Sequence, residues 1–369
     1  MKIPKKLLKP IVDRLLPIAS RRTTLPILSC FRVQTTGDAM SVEASSGEEH
    51  MKLETDCAGE SSDFCVNANQ FAHLVEASAE NVLCTVEKNS LVFKSGGVAE
   101  IGILDSKDFP ALPKDKFKAI GARAEDLLKC IKSTEWALGF IRPETIDFHS
   151  GTHLHCAAKR ITGTVTNGHF FVSDFVPSMA GDMDVIIHRD FVPGVRDMLA
   201  GEDSEIAIGE HHFRVTNMDG QYYGRLLEAK FPFKNFSDLL TLDYEDIGMI
   251  LPDELLPHLQ LCQSFSKDGR DPVYLEFSPK GMWMGFHSTA KEGSPMVYEA
   301  VLSGKYAKHS CQIALKYLME AVKRLNIEGA PIKISATDRI FRLQAPHQPT
   351  VGIGKMNFSD TEAKWKQKP

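Results

Sequence analysis

"KKLLKPIVDRLLPIAS", residues 5–20, decides how the rest of the chain is read. Leu7 and Leu8, Ile11 and Val12, and Leu15 and Leu16 recur four residues apart, so they share one helical face, while Lys5, Lys6, Lys9 and Arg14 fall largely elsewhere. The pattern predicts an amphipathic helix with a basic exposed side, and Pro10 must sit within its first turns or kink it. The same signature returns as "AEDLLKCIK", where Leu127 and Leu128 precede Ile131, and as "PDELLPHLQ", where Leu255 and Leu256 precede Leu259. The leucine pairs stand 120 and 128 residues apart.

A second helix recurs at a similar period, in "NQFAHLVEAS" at Phe71, "HRDFVPGVRDML" at Phe191 and "ALKYLMEAVKRL" at Tyr317. Behind each come runs with strand-like alternation: "NSLVFKS" near residue 92, "HHFRVTN" near 213 and "RIFRLQA" near 341. Two Phe-Pro segments, Phe109-Pro110 and Phe231-Pro232, bias their backbone toward extended and read as connectors into the next unit. A period near 120 is too long for a solenoid layer, so each unit needs its own core. The expectation is three similar α+β domains at 1–120, 121–245 and 246–360, followed by a polar tail at 361–369.

The 369 residues, 43% hydrophobic and 25% charged, are those of a globular chain of two or three domains. A net charge of −5 does not exclude a basic surface if the signs are segregated. The eight cysteines are scattered without a Cys-x-x-Cys pair, which argues against a zinc or redox dithiol site and for a reducing, cytoplasmic setting. The N-terminal segment begins basic and turns apolar like a signal peptide, but Asp13 and Arg14 interrupt it, and no stretch is long enough to span a membrane. No phosphate loop, nucleophile elbow or dinucleotide fingerprint is visible, and no cofactor is expected.

"TVTNGHFFVSD", residues 164–174, poses a separate question. Asn-Gly tolerates the positive φ of a tight hairpin turn, and His169, Phe170 and Phe171 follow at once. Either the turn only joins two strands, with at least one phenylalanine in the core, or it presents these side chains outward.

Taken together these segments resemble the bacterial DNA polymerase III beta subunit family, the sliding clamps. "LLKPIVDRLLPIASRRTTLPILS" is similar to the family's opening helix and Thr-Leu-Pro-Ile-Leu strand, "DSKDFPALP" to its Asp-Phe-Pro connector, and "TVTNGHFFV" to its Thr-Asp-Gly-His-Arg-Leu segment. "ALKYLMEAVKRL" and "SATDRIFRLQ" resemble the later Tyr-Leu helix and Thr-Asp strand. The resemblance implies three clamp-type domains with helices lining the inside and antiparallel sheets outside, in a head-to-tail dimer that closes into a ring. It also implies a non-catalytic processivity subunit that encircles duplex DNA without reading sequence and binds polymerase and clamp-loader subunits through short linear motifs.

Lumen positions implied in this way are Lys5, Lys6, Lys9, Arg14, Arg21, Arg22, Lys129, Lys132, Arg196, Lys316, Lys323 and Arg324. "NQFAHLVEASAE" contains neither lysine nor arginine, so the basic lining is uneven. By the same comparison the partner-peptide pocket comprises Thr166, Gly168, His169, Phe170, Phe171, Leu239, Tyr317, Ile340 and Arg342. Val351, Ile353 and Met356 complete the pocket where the family usually closes with Met-Pro-Met-Arg-Leu. Phe170 and Phe171 replace a usual Arg and Leu, and Leu239 a usual proline.

Two other readings compete. His153 and His155 alternate in "FHSGTHLHCAAK" with His149 and Cys156 nearby, which are ligand types for a zinc-dependent hydrolase. The chain could also be a triplicated binding scaffold that does not encircle DNA.

Overall fold

The computed structural model describes residues 1–19, 23–94, 97–145, 147–266, 269, 271–288, 296–327 and 329–356. Arg21, Arg22 and the tail at 361–369 lie outside the described residues. Among those described, seven α-helices occur: α1 Lys5–Ala19, α2 Ala68–Ala77, α3 Ala124–Thr134, α4 Val192–Leu199, α5 Phe233–Thr241, α6 Pro252–Phe265 and α7 Leu315–Leu325. Strands Ser90–Lys94, His212–Asn217 and Ile340–Gln344 form where the sequence alternates. Contacts group the chain into two compact units, one of Met1–Lys132, His153–Ile161 and Val176–Ala229, the other of Ser133–Thr152, Thr162–Phe175 and the residues from Lys230 onward.

In the first unit, α1 buries Leu8, Ile11, Val12, Leu15 and Ile18, leaving Leu7 exposed. That stripe is one face of a 3.6-residue period. It packs against α2 and strands Ala39–Ser45 and Glu49–Asp56. Helix α2 starts where the Asn67 side chain accepts a 3.0 Å hydrogen bond from the Gln70 N–H, supplying a partner to one of the donors a helix start leaves unpaired. One antiparallel sheet of twelve strands runs through the unit. Within it Gly220–Arg225 pairs with Glu49–Asp56, from Gly220 opposite Leu53 to Gly224 opposite Glu49. Tyr222, fully buried, donates to Glu49 Oε2 at 2.6 Å across this junction.

In the second unit, strands Phe170–Pro177, Thr350–Gly354, Ile340–Gln344, Ile332–Ala336 and Glu245–Ile250 are neighbours in that order. A four-stranded sheet runs Met296–Leu302, Gly281–Ser288, Pro272–Ser278, His309–Ala314. Helices α6 and α7 pack on each other, and α7 also touches Thr350–Gly354 and His309–Ala314. Leu315, Leu318, Val322 and Leu325 form its buried stripe. Each buried leucine of this kind contributes about 1.5–3 kcal/mol of transfer free energy. Sheets continue past residues 120 and 245, so the compact units number two where the sequence repeats number three.

Candidate functional site

Asn167-Gly168 is the hairpin turn, with Gly168 at φ +82°. The Asn167 carboxamide oxygen accepts from the N–H groups of His169 at 3.0 Å and Phe170 at 3.1 Å, and the Phe170 carbonyl accepts from Thr166 Oγ1 at 2.8 Å. These bonds fix the turn so that His169 is exposed while Phe170 and Phe171 are buried. Both alternatives posed by the sequence are therefore realised, by different residues. The histidine points outward, and the two phenylalanines become walls.

Those walls enclose an apolar cavity of about 210 Å³, lined from the turn by Thr166, Gly168, His169, Phe170 and Phe171 and from farther along the chain by Leu239 and Ile340. Phe171 meets Phe236 edge to face at 5.1 Å, Phe236 meets Phe231 at 5.6 Å, and Phe231 meets Phe148 at 5.7 Å. Strand Phe170–Pro177 pairs with Thr350–Gly354, placing Phe171 opposite Gly352 and Phe170 opposite Ile353. Because alternate residues face opposite sides of a strand, Gly352 and Gly354 line the cavity. Val351 and Ile353, expected there, are fully buried and absent from its lining.

A wider cavity of about 1080 Å³ shares His149, Gly168, His169 and Gly354 with the first, and adds Phe140, Tyr317, Lys316 and Met356. The Tyr317 ring stacks on Phe170 at 4.7 Å, and its hydroxyl accepts from Asn167 Nδ2 at 2.9 Å, tying α7 to the turn. Lys316 Nζ stands 4.7 Å from the centre of the Tyr317 ring. Arg342 lines neither cavity. Its guanidinium lies 3.6 Å above the Tyr244 ring, burial lowers its pKa, and the Tyr244 hydroxyl donates to the Leu239 carbonyl at 2.8 Å.

Sequence reasoning missed Phe148, Phe231, Phe236 and α5. "KFPFKNF" reads as a connector because its proline and aromatics match no periodic template, yet Phe231 and Phe236 flank a helix start. The clustering of aromatics around Pro232 was the available signal.

The basic positions differ in their surroundings. Lys9 is held by Asp13 at 2.9 Å and Glu76 at 2.8 Å, and Arg14 pairs with Asp197 at 2.5 Å and Asp219 at 2.7 Å. Lys5 donates to the Ser78 and Glu76 carbonyls, and Arg324 pairs with Glu320 at 2.7 Å. Lys6, Lys129, Lys132 and Lys323 are exposed, whereas Arg196 and Lys316 are half-buried.

The histidine group is rearranged relative to expectation. His153 and His155 share their site with Asp184, while His149 lines the aromatic cavity, its ring tilted against Phe148 with centroids 3.9 Å apart, with Nδ1 2.9 Å from Asp147 Oδ1. Partial burial raises the Asp147 carboxyl, but hydrogen bonds from His149 outweigh it and leave it below the usual range. All eight cysteines are buried as thiols rather than joined in disulfides. Burial pushes the thiols of Cys65, Cys84, Cys262 and Cys311 up to about 12 and that of Cys156 to about 11, so these five are protonated at neutral pH. No helix among the described residues is long and apolar enough to cross a membrane.

The fold is that of the DNA polymerase III beta subunit: the Caulobacter crescentus protein superposes with a TM-score of 0.86 over 97% of this chain and 99% of that one, at 16% identity. In sequence the chain is similar to the beta sliding clamp of Pseudomonas aeruginosa, 24% identical over 274 residues, covering 71% of each. It is 22% identical over 378 residues to that of Bacillus subtilis, covering 95% of this chain and 96% of the relative. No family model matches the sequence. The likeness favours a clamp over a zinc hydrolase built on His149, His153 and His155.

Proposed function

We propose that this chain is a DNA sliding clamp, a non-catalytic cytoplasmic subunit that forms a ring-shaped homodimer around duplex DNA and tethers a polymerase to its template. The observation that carries the reading is the end-to-end likeness, 95% of the chain aligned to one named beta sliding clamp and 97% superposed on a polymerase III beta subunit. Three repeated units, 1–120, 121–245 and 246–360, supply the lumen helices α1 to α4, α6 and α7. Sliding needs weak phosphate contact without base readout, which suits exposed lysines such as Lys6, Lys129, Lys132 and Lys323.

The aromatic cavity is the docking site for short linear motifs of polymerase and clamp-loader subunits. A pocket of apolar walls with a few polar groups at its rim takes an apolar anchor side chain and orients it by hydrogen bonds. Here the rim is Thr166, His169 and Asn235, and the walls are Phe170, Phe171, Phe236 and Leu239. Tethering through such a motif raises the polymerase's effective concentration at the template without added affinity for DNA.

The test is topological. Protein loaded on circular DNA should be retained through a sizing column and released when the circle is linearised. Equal loss from circular and linear DNA would reject encirclement.

A further inference from the structure

His153 and His155 lie two residues apart in strand Gly151–Ala157 and so project to the same face, and Asp184 reaches that face from the neighbouring strand Met183–His188. His153 Nε2 is 2.6 Å from Asp184 Oδ1, and His155 Nδ1 is 3.9 Å from the same oxygen. One ligand atom from each residue lies within 4.8 Å of the other two. We propose that these three side chains bind one divalent transition-metal ion, zinc by preference, as a staple between the two strands.

The donor set fits that ion. Two imidazoles and a carboxylate are ordinary zinc ligands with bonds of about 2.0–2.2 Å, which in a tetrahedron separates donor atoms by roughly 3.4 Å. The observed 2.6 and 3.9 Å to Asp184 bracket that separation, and the two imidazole donors lie within 4.8 Å of each other. Asp184 is the side chain with room to move, 59% of it being exposed, whereas His153 is fully buried and fixes the ion's depth. Cys156 is not a fourth donor, because strand alternation turns it to the opposite face. Three protein donors leave a fourth position for water.

This site differs from the hydrolase reading in ligands, with Asp184 replacing His149, and in role, since the ion cross-links strands. It stands independently of the clamp reading. The experiment uses the full chain stripped with a chelator and titrated with cobalt(II), followed by visible absorption, and with zinc(II), followed by calorimetry and thermal melting. One ion per chain is expected, with a rise in melting temperature. His155→Ala and Asp184→Asn, both at partly exposed side chains, should each weaken binding at least tenfold and remove the rise while leaving the circular dichroism spectrum unchanged. Absence of stoichiometric binding, or binding undiminished in both variants, overturns the proposal.

Discussion

The Phe171 ring lies so close to the Cα of Gly352 that a β-carbon at position 352 would overlap its Cε1. The cavity wall thus depends on one residue having no side chain. Gly352→Ala should push the ring into the pocket and cost about 1–3 kcal/mol, the usual range for overpacking. Urea denaturation measures the loss. Adding Phe171→Leu should recover part of it, so the two changes should be clearly non-additive; simple additivity would mean that the ring is not the obstacle.

Phe170 and Tyr317 hold the turn against α7 by stacking. A double-mutant cycle with Phe170→Leu and Tyr317→Leu should give a coupling of about 0.5–1.5 kcal/mol. Tyr317→Phe keeps the stack and removes only the hydrogen bond from Asn167, so it should cost about 1 kcal/mol. Both are read from denaturant midpoints.

Much of this architecture is legible in the sequence. Leucine pairs at 7, 127 and 255 locate α1, α3 and α6, since helical periodicity survives sequence divergence when one face must stay buried. Asn167-Gly168 announces its turn by backbone chemistry alone. What stays hidden depends on register. Nothing local to "TVGIGK" tells which of Val351, Gly352 and Ile353 faces a cavity, because a shift of one residue inverts the answer and the partner strand lies about 180 residues away. Asp184 is concealed for the same reason, coming from a neighbouring strand rather than from the "HLH" run.

Lys355 Nζ donates to His309 Nε2 at 2.7 Å and also to the Thr337 carbonyl. Burial lowers the His309 pKa, and the adjacent Lys355 charge lowers it further. A depressed folded-state value means that the unfolded chain takes up the proton first. The stabilisation is therefore complete above the unfolded value of about 6.5 and is lost as pH falls through the lower folded value. His309→Gln should flatten the fall in melting temperature between about pH 7 and pH 5. An unchanged pH profile would assign the acid sensitivity elsewhere.

Among the basic residues, environment predicts a ranking. Lys9 is neutralised by Asp13 and Glu76, whereas Lys129 and Lys132 are exposed. Lys129→Ala and Lys132→Ala should each lower the slope of log affinity against log salt by about 0.9 for every phosphate no longer neutralised, without altering sequence preference. Lys9→Ala should change it little. Fluorescence anisotropy on two unrelated duplexes across a salt series distinguishes the three variants; equal slopes would contradict the ranking.

The ladder between Gly220–Arg225 and Glu49–Asp56 has a kinetic side. It joins segments about 170 residues apart in the chain, so its loop-closure entropy is incurred long before its hydrogen bonds form, and refolding should be slow for a protein of this size. Once formed, it couples the fate of both segments. A nick in the Phe109-Pro110 stretch would leave the fragments clasped together, and melting should proceed as one cooperative event across the first unit rather than repeat by repeat.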